Sequence, residues 1–315
     1  MVMDEGRREA YLSVISRYAK GARVLDLGCG TGFFTLAALH AGARSVTAID
    51  LLDPVQLLPS IVKLNGYEGR CEVYQGDIRE LSLDSSFDLI ISDMRGSTPF
   101  FQDHFDVLDY AKHNLLADNG CITPGTDKMM VALVSWESQY EKLCAPWKLD
   151  NHDWSTVLKS ALRTPFRVGD CPENCVMGSL VKWAEIDYVG SEISKQKHWG
   201  GQFDITVPTA GCGHGLMVWF ETIVMDELTY SNAPDCGRMP TYGRQYFPFD
   251  RPYICEDNSK QTITIQCHST ATQWHWEWGI SGTDGKIMHN TLDSLNIGDL
   301  IPTSAKTDQS VKRLL

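Results

Sequence analysis

Two carboxylates bracket a glycine-rich turn near the start of the chain, and their spacing describes a ligand. The turn reads Val24-Leu25-Asp26-Leu27-Gly28-Cys29-Gly30-Thr31-Gly32, and Asp50 follows Gly32 by eighteen residues. Glycines let a backbone bend sharply and approach a bound molecule closely. Asp50 closes the apolar run Ser45 to Ile49, where a carboxylate can accept both hydroxyls of a ribose. Asp26 would repel a pyrophosphate resting on the turn but would attract an ammonium. A glycine turn alone is shared with dinucleotide enzymes, and Asp26 moves the reading away from them.

A second chemical group lies on Ser92-Asp93-Met94-Arg95-Gly96-Ser97-Thr98-Pro99-Phe100-Phe101-Gln102-Asp103-His104. Arg95 could grip a carboxylate or phosphate with both arms of its guanidinium. The plainer reading is that it pairs with Asp93 or another acid of the protein. His104 is the histidine best placed for a general base. Asp103 and Asp106 are nearby acids, yet adjacent helix positions do not face one another. Cys171, Cys175, Cys212 and His214 have the side chains of a zinc site, but their spacing fits no standard finger, and no metal is expected.

Short apolar strands alternating with helices must position these groups. Helices are expected at Glu9 to Tyr18, Phe33 to Ala41, Val55 to Leu64 and Phe101 to Leu116, with strands at Arg23 to Leu27, Ser45 to Ile49, Cys71 to Tyr74 and Phe87 to Ser92. That order predicts a parallel sheet covered on both faces over residues 1–124. Residues 125–315 read as strands instead: Lys128 to Ser135, Ser179 to Asp187, Phe203 to Val207, Gly215 to Val224, Thr262 to Cys267 and Trp274 to Ile280. They predict an antiparallel sandwich or barrel. A connection at about 145–172, helical near Trp154 to Leu162, interrupts it. The tail from Thr303 to Leu315 reads as loose.

The 315 residues, 43% hydrophobic and 22% charged, describe an ordinary globular chain long enough for two domains. No apolar run reaches the ~18 residues of a membrane span. The charged N-terminus lacks a signal-peptide core, and ten scattered cysteines suit a reduced compartment, so a cytoplasmic protein is expected. A net charge of −12 argues against nucleic acid as partner.

The glycine turn, Asp26 and Asp50 resemble the cofactor site of class I S-adenosylmethionine-dependent methyltransferases. A Rossmann-like α/β domain of that kind, followed by a β-barrel bearing a helical dimerisation arm, resembles the protein arginine methyltransferase family. The resemblance implies that Arg7 holds the donor's carboxylate, that Asp26, Gly28 and Gly30 cradle its methionine part, and that Asp50 with Leu51 takes the ribose. Asp77 and Ile78 would lie against the adenine. It also implies a homodimer.

The acceptor side departs from the family. Asp93 stands where the family's first loop glutamate belongs and Gln102 where the second belongs, with Asp103 available after a one-residue slip. The family's Thr-His-Trp loop reads Thr241-Tyr242-Gly243-Arg244-Gln245. Arg95 and Arg244 would repel a guanidinium. The leading expectation is therefore methylation of an anionic small molecule, an amino acid or specialised metabolite, touched by Asp93, Arg95, Gln102, Asp103, His104, Tyr242 and Arg244. Methylation of arginine or another guanidino compound is the alternative. A donor-binding regulatory protein without catalysis is the reading from another class.

Overall fold

The computed structural model describes residues 2–83, 86–148, 152–235, 241–270, 273–293 and 312–313. The first half is built on the parallel strands β1 (Arg23–Leu27), β2 (Ser45–Asp50), β3 (Cys71–Gln75), β4 (Phe87–Ser92) and β5 (Leu116–Thr123), in the spatial order 3-2-1-4-5. Helices α1 (Glu5–Tyr18), α2 (Phe33–His40), α3 (Leu58–Leu64) and α4 (His104–Leu115) accompany it. The strands are apolar on both faces because helices cover both faces; Val24, Leu25, Leu89, Ile90 and Ile91 are fully buried.

The second half contains two antiparallel sheets. One runs β7 (Phe166–Val168), β12 (Arg244–Cys255), β10 (Gly211–Met225), β6 (Thr126–Val134), β8 (Val176–Asp187), with β11 (Leu228–Ser231) on β10. The other orders β15 (Gly285–Asn290), β14 (Trp274–Gly282), β13 (Ser259–Ser269) and β9 (His198–Val207). Helices α5 (Glu137–Cys144) and α6 (Ser155–Leu162) lie in the connection between β6 and β7. Of the tail expected to be loose, only Lys312–Arg313 falls among the described residues. It forms β16, antiparallel to β3 at Gln75 and Tyr74.

The two halves share a core. Helix α1 packs on β10 and β11 as well as on α2. Phe100, from the segment after β4, sits among Trp183, Trp199, Trp274 and Trp276 of the second half, with ring centres 5.1 to 5.9 Å away. Such aromatic contacts add about 0.5–1.5 kcal/mol each beyond burial, so this segment is anchored from both sides. Among the described residues, no helix is long and apolar enough to cross a membrane.

Candidate functional site

The glycine turn is held by strand β2. The amides of Gly28 and Cys29 both donate to the Ile49 carbonyl, at 2.9 and 3.1 Å. Asp50, one residue later, accepts from the Gly30 amide and the Leu52 amide, both at 2.8 Å. Gly28 has φ +78°, and a Cβ there would lie 2.3 Å from Met94 Cγ, so only glycine permits this approach of the β1 turn to the segment after β4. Gly30, at φ +55°, faces open space.

Asp26, next to the turn, is 2% exposed and accepts a 2.6 Å hydrogen bond from Thr35 Oγ1. Burial outweighs that hydrogen bond and pushes its pKa up to about 6. Arg7 enters from the first turn of α1, which Asp4 caps through the Arg7 amide at 3.2 Å. Its guanidinium lies 4.7 Å above the Phe34 ring and is ion-paired with Asp93. Asp77 caps the short turn Ile78–Glu80 and holds Arg79, which also pairs with Asp103. Ile78 is buried, whereas Leu51 is half exposed beside Asp50.

Asp93, just beyond the end of β4, is the hub of the buried polar groups. Besides Arg7 it meets Arg95 Nε at 3.4 Å and the Tyr230 hydroxyl at 3.4 Å, and its backbone carbonyl accepts from the Tyr242 hydroxyl at 2.9 Å. Arg95 is 3% exposed and is ion-paired with both oxygens of Asp127. It donates to Thr222 Oγ1 at 2.9 Å and lies over the rings of Phe220 and Tyr230, 4.7 and 5.4 Å from their centres. Asp127 also accepts from the Thr222 and Tyr188 hydroxyls, each at 2.6 Å. Burial opposes the Arg95 charge most strongly, but Asp127 together with Tyr230, Tyr11 and Tyr188 outweighs it and lifts the guanidinium pKa above its ordinary value.

The acceptor expectation based on free cations is corrected here. Arg95 is consumed by Asp127, the plainer of the two readings given above. Arg244 donates to the backbone carbonyls of Asn232, Gly169 and Ala233 and is 1% exposed, so it braces loops instead of facing a ligand. Both guanidinium groups are buried and bonded within their own protein, so neither is presented to a substrate carboxylate.

Gln102 and Asp103 are not brought to Asp93. Gln102 is exposed in a left-handed conformation, φ +43°, with its carbonyl accepting from Trp274 Nε1 at 3.2 Å, and Asp103 is taken by Arg79 at the surface. His104 is buried against Phe105 and Tyr188, and neither ring nitrogen has a hydrogen-bond partner. Burial, then the Arg95 charge, lowers its pKa to about 3, which suits a general base at neutral pH poorly. The four residues with zinc-site chemistry do not converge: His214 Nδ1 accepts from the Trp136 amide at 3.1 Å, while Cys171 faces Cys175.

The sequence reading missed Asp127, Tyr188, Thr222 and Tyr230. A signal for Asp127 existed, because Asp127, Met129, Val131 and Leu133 alternate along β6 and all four are completely buried. An acid on the apolar face of a strand requires a buried partner.

Residues 10–151 match the family model described as FtsJ-like methyltransferase. Protein arginine N-methyltransferase 2 of Dictyostelium discoideum is 27% identical over 230 residues, 70% of this chain and 45% of that protein. Protein arginine N-methyltransferase 1 of Saccharomyces cerevisiae is 28% identical over 230 residues, 71% of this chain and 65% of that protein. The chain thus spans between about half and two thirds of these relatives' length. The solved Trypanosoma brucei PRMT1 enzyme–prozyme heterotetrameric complex with AdoHcy matches with a TM-score of 0.81 at 20% identity, over 92% of this chain and 96% of the other. Arabidopsis thaliana protein arginine methyltransferase 10 matches with a TM-score of 0.76 at 19% identity, over the same shares. The chain is thus similar in sequence to protein arginine N-methyltransferases, shares the fold of solved arginine methyltransferases, and carries a segment matching a methyltransferase family model.

Proposed function

We propose that the protein binds S-adenosylmethionine at the β1–β2 edge and transfers its methyl group to an arginine guanidinium. The observation that carries this reading is Asp93, a buried carboxylate between Arg7 on the donor side and Tyr230 and Tyr242 of the second half. The relatives matched across about 70% of the chain are named as arginine N-methyltransferases. That observation replaces the anionic small molecule, whose proposed cationic receptors are already occupied.

The residues present fit the donor. Arg7 offers a buried cation for a carboxylate, Asp26 an acid for an ammonium, Asp50 two oxygens for a ribose, and Gly30 leaves room where a side chain would intrude. Asp77 and Ile78 provide a polar edge and an apolar face for adenine. Bound there, the sulfonium supplies an already activated methyl group. The protein's own task is alignment: Asp93 orients the acceptor nitrogen and disperses its charge, since in-line placement at about 3–3.5 Å accounts for much of such catalysis. Tyr242 fixes the Asp93 backbone from the second half.

A second reading has its own support. Asp93 is matched by two guanidinium groups, Arg7 and Arg95, and neither Gln102 nor Asp103 joins it. With the resemblance to an enzyme–prozyme assembly, this favours a donor-binding subunit that serves a catalytic partner. The two are separated by incubating the full chain with methyl-labelled donor and arginine-rich peptides. Label on the guanidino nitrogen, abolished by Asp93→Asn, supports the first reading. Donor binding by calorimetry without transfer to peptide supports the second, and label on carboxylate-bearing metabolites would overturn both.

A further inference from the structure

Cys171 and Cys175 lie in a five-residue turn, Cys171-Pro172-Glu173-Asn174-Cys175, between β7 and β8. The turn is closed by the Cys175 amide donating to the Pro172 carbonyl at 3.2 Å, with Asn174 left-handed at φ +62°. Its far end is tied to β6 through the Ser135 amide, which donates to the Cys175 carbonyl at 2.7 Å. Both side chains pack into one small apolar cluster, where the two thiols act on one another electrostatically. Cys175 is 4% exposed, whereas Cys171 is half-buried and its sulfur lies 3.8 Å from the Pro234 carbonyl. Cys171 is thus the more exposed residue of the two.

The surroundings distinguish the pair from the other thiols. Arg244, fixed by the Gly169 carbonyl at 2.8 Å, places a cation beside the turn. Donation from the Cys175 thiol, against burial and with help from Arg244, brings the Cys171 thiol down to about 7. Among the described cysteines it alone shifts down; Cys29, Cys71, Cys121, Cys144, Cys212, Cys255 and Cys267 are all pushed up, by burial first. A thiolate near a cation and next to a second thiol is the arrangement in which oxidation is selective.

We propose that Cys171 and Cys175 form a peroxide-sensitive dithiol in which Cys171 is oxidised and Cys175 resolves it into an intramolecular disulfide. The oxidant is hydrogen peroxide. The Cys171 thiolate attacks one peroxide oxygen, the O–O bond breaks, and the departing hydroxide takes up a proton to leave as water. Cys175 sulfur then attacks the resulting sulfenic acid, the S–S bond forms as the S–O bond breaks, and a second water carries away the Cys175 proton. Two electrons pass from the sulfurs to the peroxide.

Both cysteines fall between Arg167 and Lys182 with no intervening lysine or arginine, so one tryptic peptide reports on the pair. The test treats the native full chain with graded hydrogen peroxide, alkylates the remaining thiols, and maps peptides by mass. The expected result is that this peptide resists alkylation and is lighter by two hydrogens at doses that leave the other described cysteines alkylated, with dithiothreitol reversing the change. Cys175→Ser should instead accumulate a Cys171 sulfenic acid that dimedone traps. Oxidation of other thiols while this peptide stays fully alkylated would overturn the proposal, as would a bond from Cys171 to a different cysteine. The wild-type map decides even if the serine variant folds poorly.

Discussion

Asp26 is held at a cost. In an unfolded chain an aspartate titrates near its model value of 3.8, while burial in the fold moves Asp26 to about 6. Between those values the folded state holds the proton more firmly, so stability from this group falls as pH rises from about 4 to about 6. At 1.36 kcal/mol per pKa unit the loss comes to about 3 kcal/mol at neutral pH. Asp26→Asn, which can still accept from Thr35, should therefore raise the denaturation midpoint at pH 7 and flatten its dependence between pH 4 and 6. An unchanged or lower midpoint would show that the buried carboxylate is solvated or paired in the free protein. A donor ammonium would favour the ionised acid, so calorimetry should find donor affinity weakening as pH drops through about 6. At this scale the placement of the glycine turn beside Asp26 and Asp50 was legible, because glycines and acids at fixed spacing mark a strand-end turn before any fold is known. The acceptor side was not. Arg95 carries no mark in the sequence of whether it meets a substrate or Asp127, which is 32 residues away and becomes its neighbour only when β6 crosses the seam.

At the scale of elements, strands buried on both faces were read within a residue or two, and β4 matched its expected limits. Two long strands escaped for physical reasons. β12 contains Pro248 and Pro252, which cannot donate to a ladder, and it survives because its pairing with β10 shifts register between Gly213 and Gly215. β5 contains Asn119-Gly120, a turn signal, and its pairing with β4 skips from Leu116 to Cys121. The helix expected from Phe101 begins at His104, because Pro99 and left-handed Gln102 hold the preceding residues out of it. Elements also bring the ion pairs together, with Arg95 following β4 while β6 supplies Asp127 and β10 supplies Thr222. Asp127→Ala should cost about 3–5 kcal/mol in chemical denaturation, since it strands a buried guanidinium. Adding Arg95→Met should recover much of that loss. Additive losses in the double variant would mean that the two side chains are not energetically coupled.

At the scale of the molecule, the connection between β6 and β7 presents an apolar face that the fold leaves partly uncovered: Trp154 is 39% exposed and Leu158 half-buried on α6. Leu52 and Leu57 are exposed on the first half. Exposed apolar groups of this kind favour a symmetric contact between copies, and a homodimer is expected by light scattering at micromolar concentration. Trp154→Glu should shift it to monomer, and a wild-type monomer mass would refute the arrangement. One further consequence belongs to the charged seam. Arg7, Asp93 and Arg95 precede the β5–β6 junction, while Asp127, Thr222 and Tyr230 follow it, so the balance of buried charge closes only when the chain is whole. The first half is therefore not an exchangeable module. Transplanted onto a different second half lacking an acid at the position of Asp127, it would bring an unmatched cation into the new junction. The two halves of this chain are thus bound to change together, each substitution on one side of the seam constraining what the other side can accept.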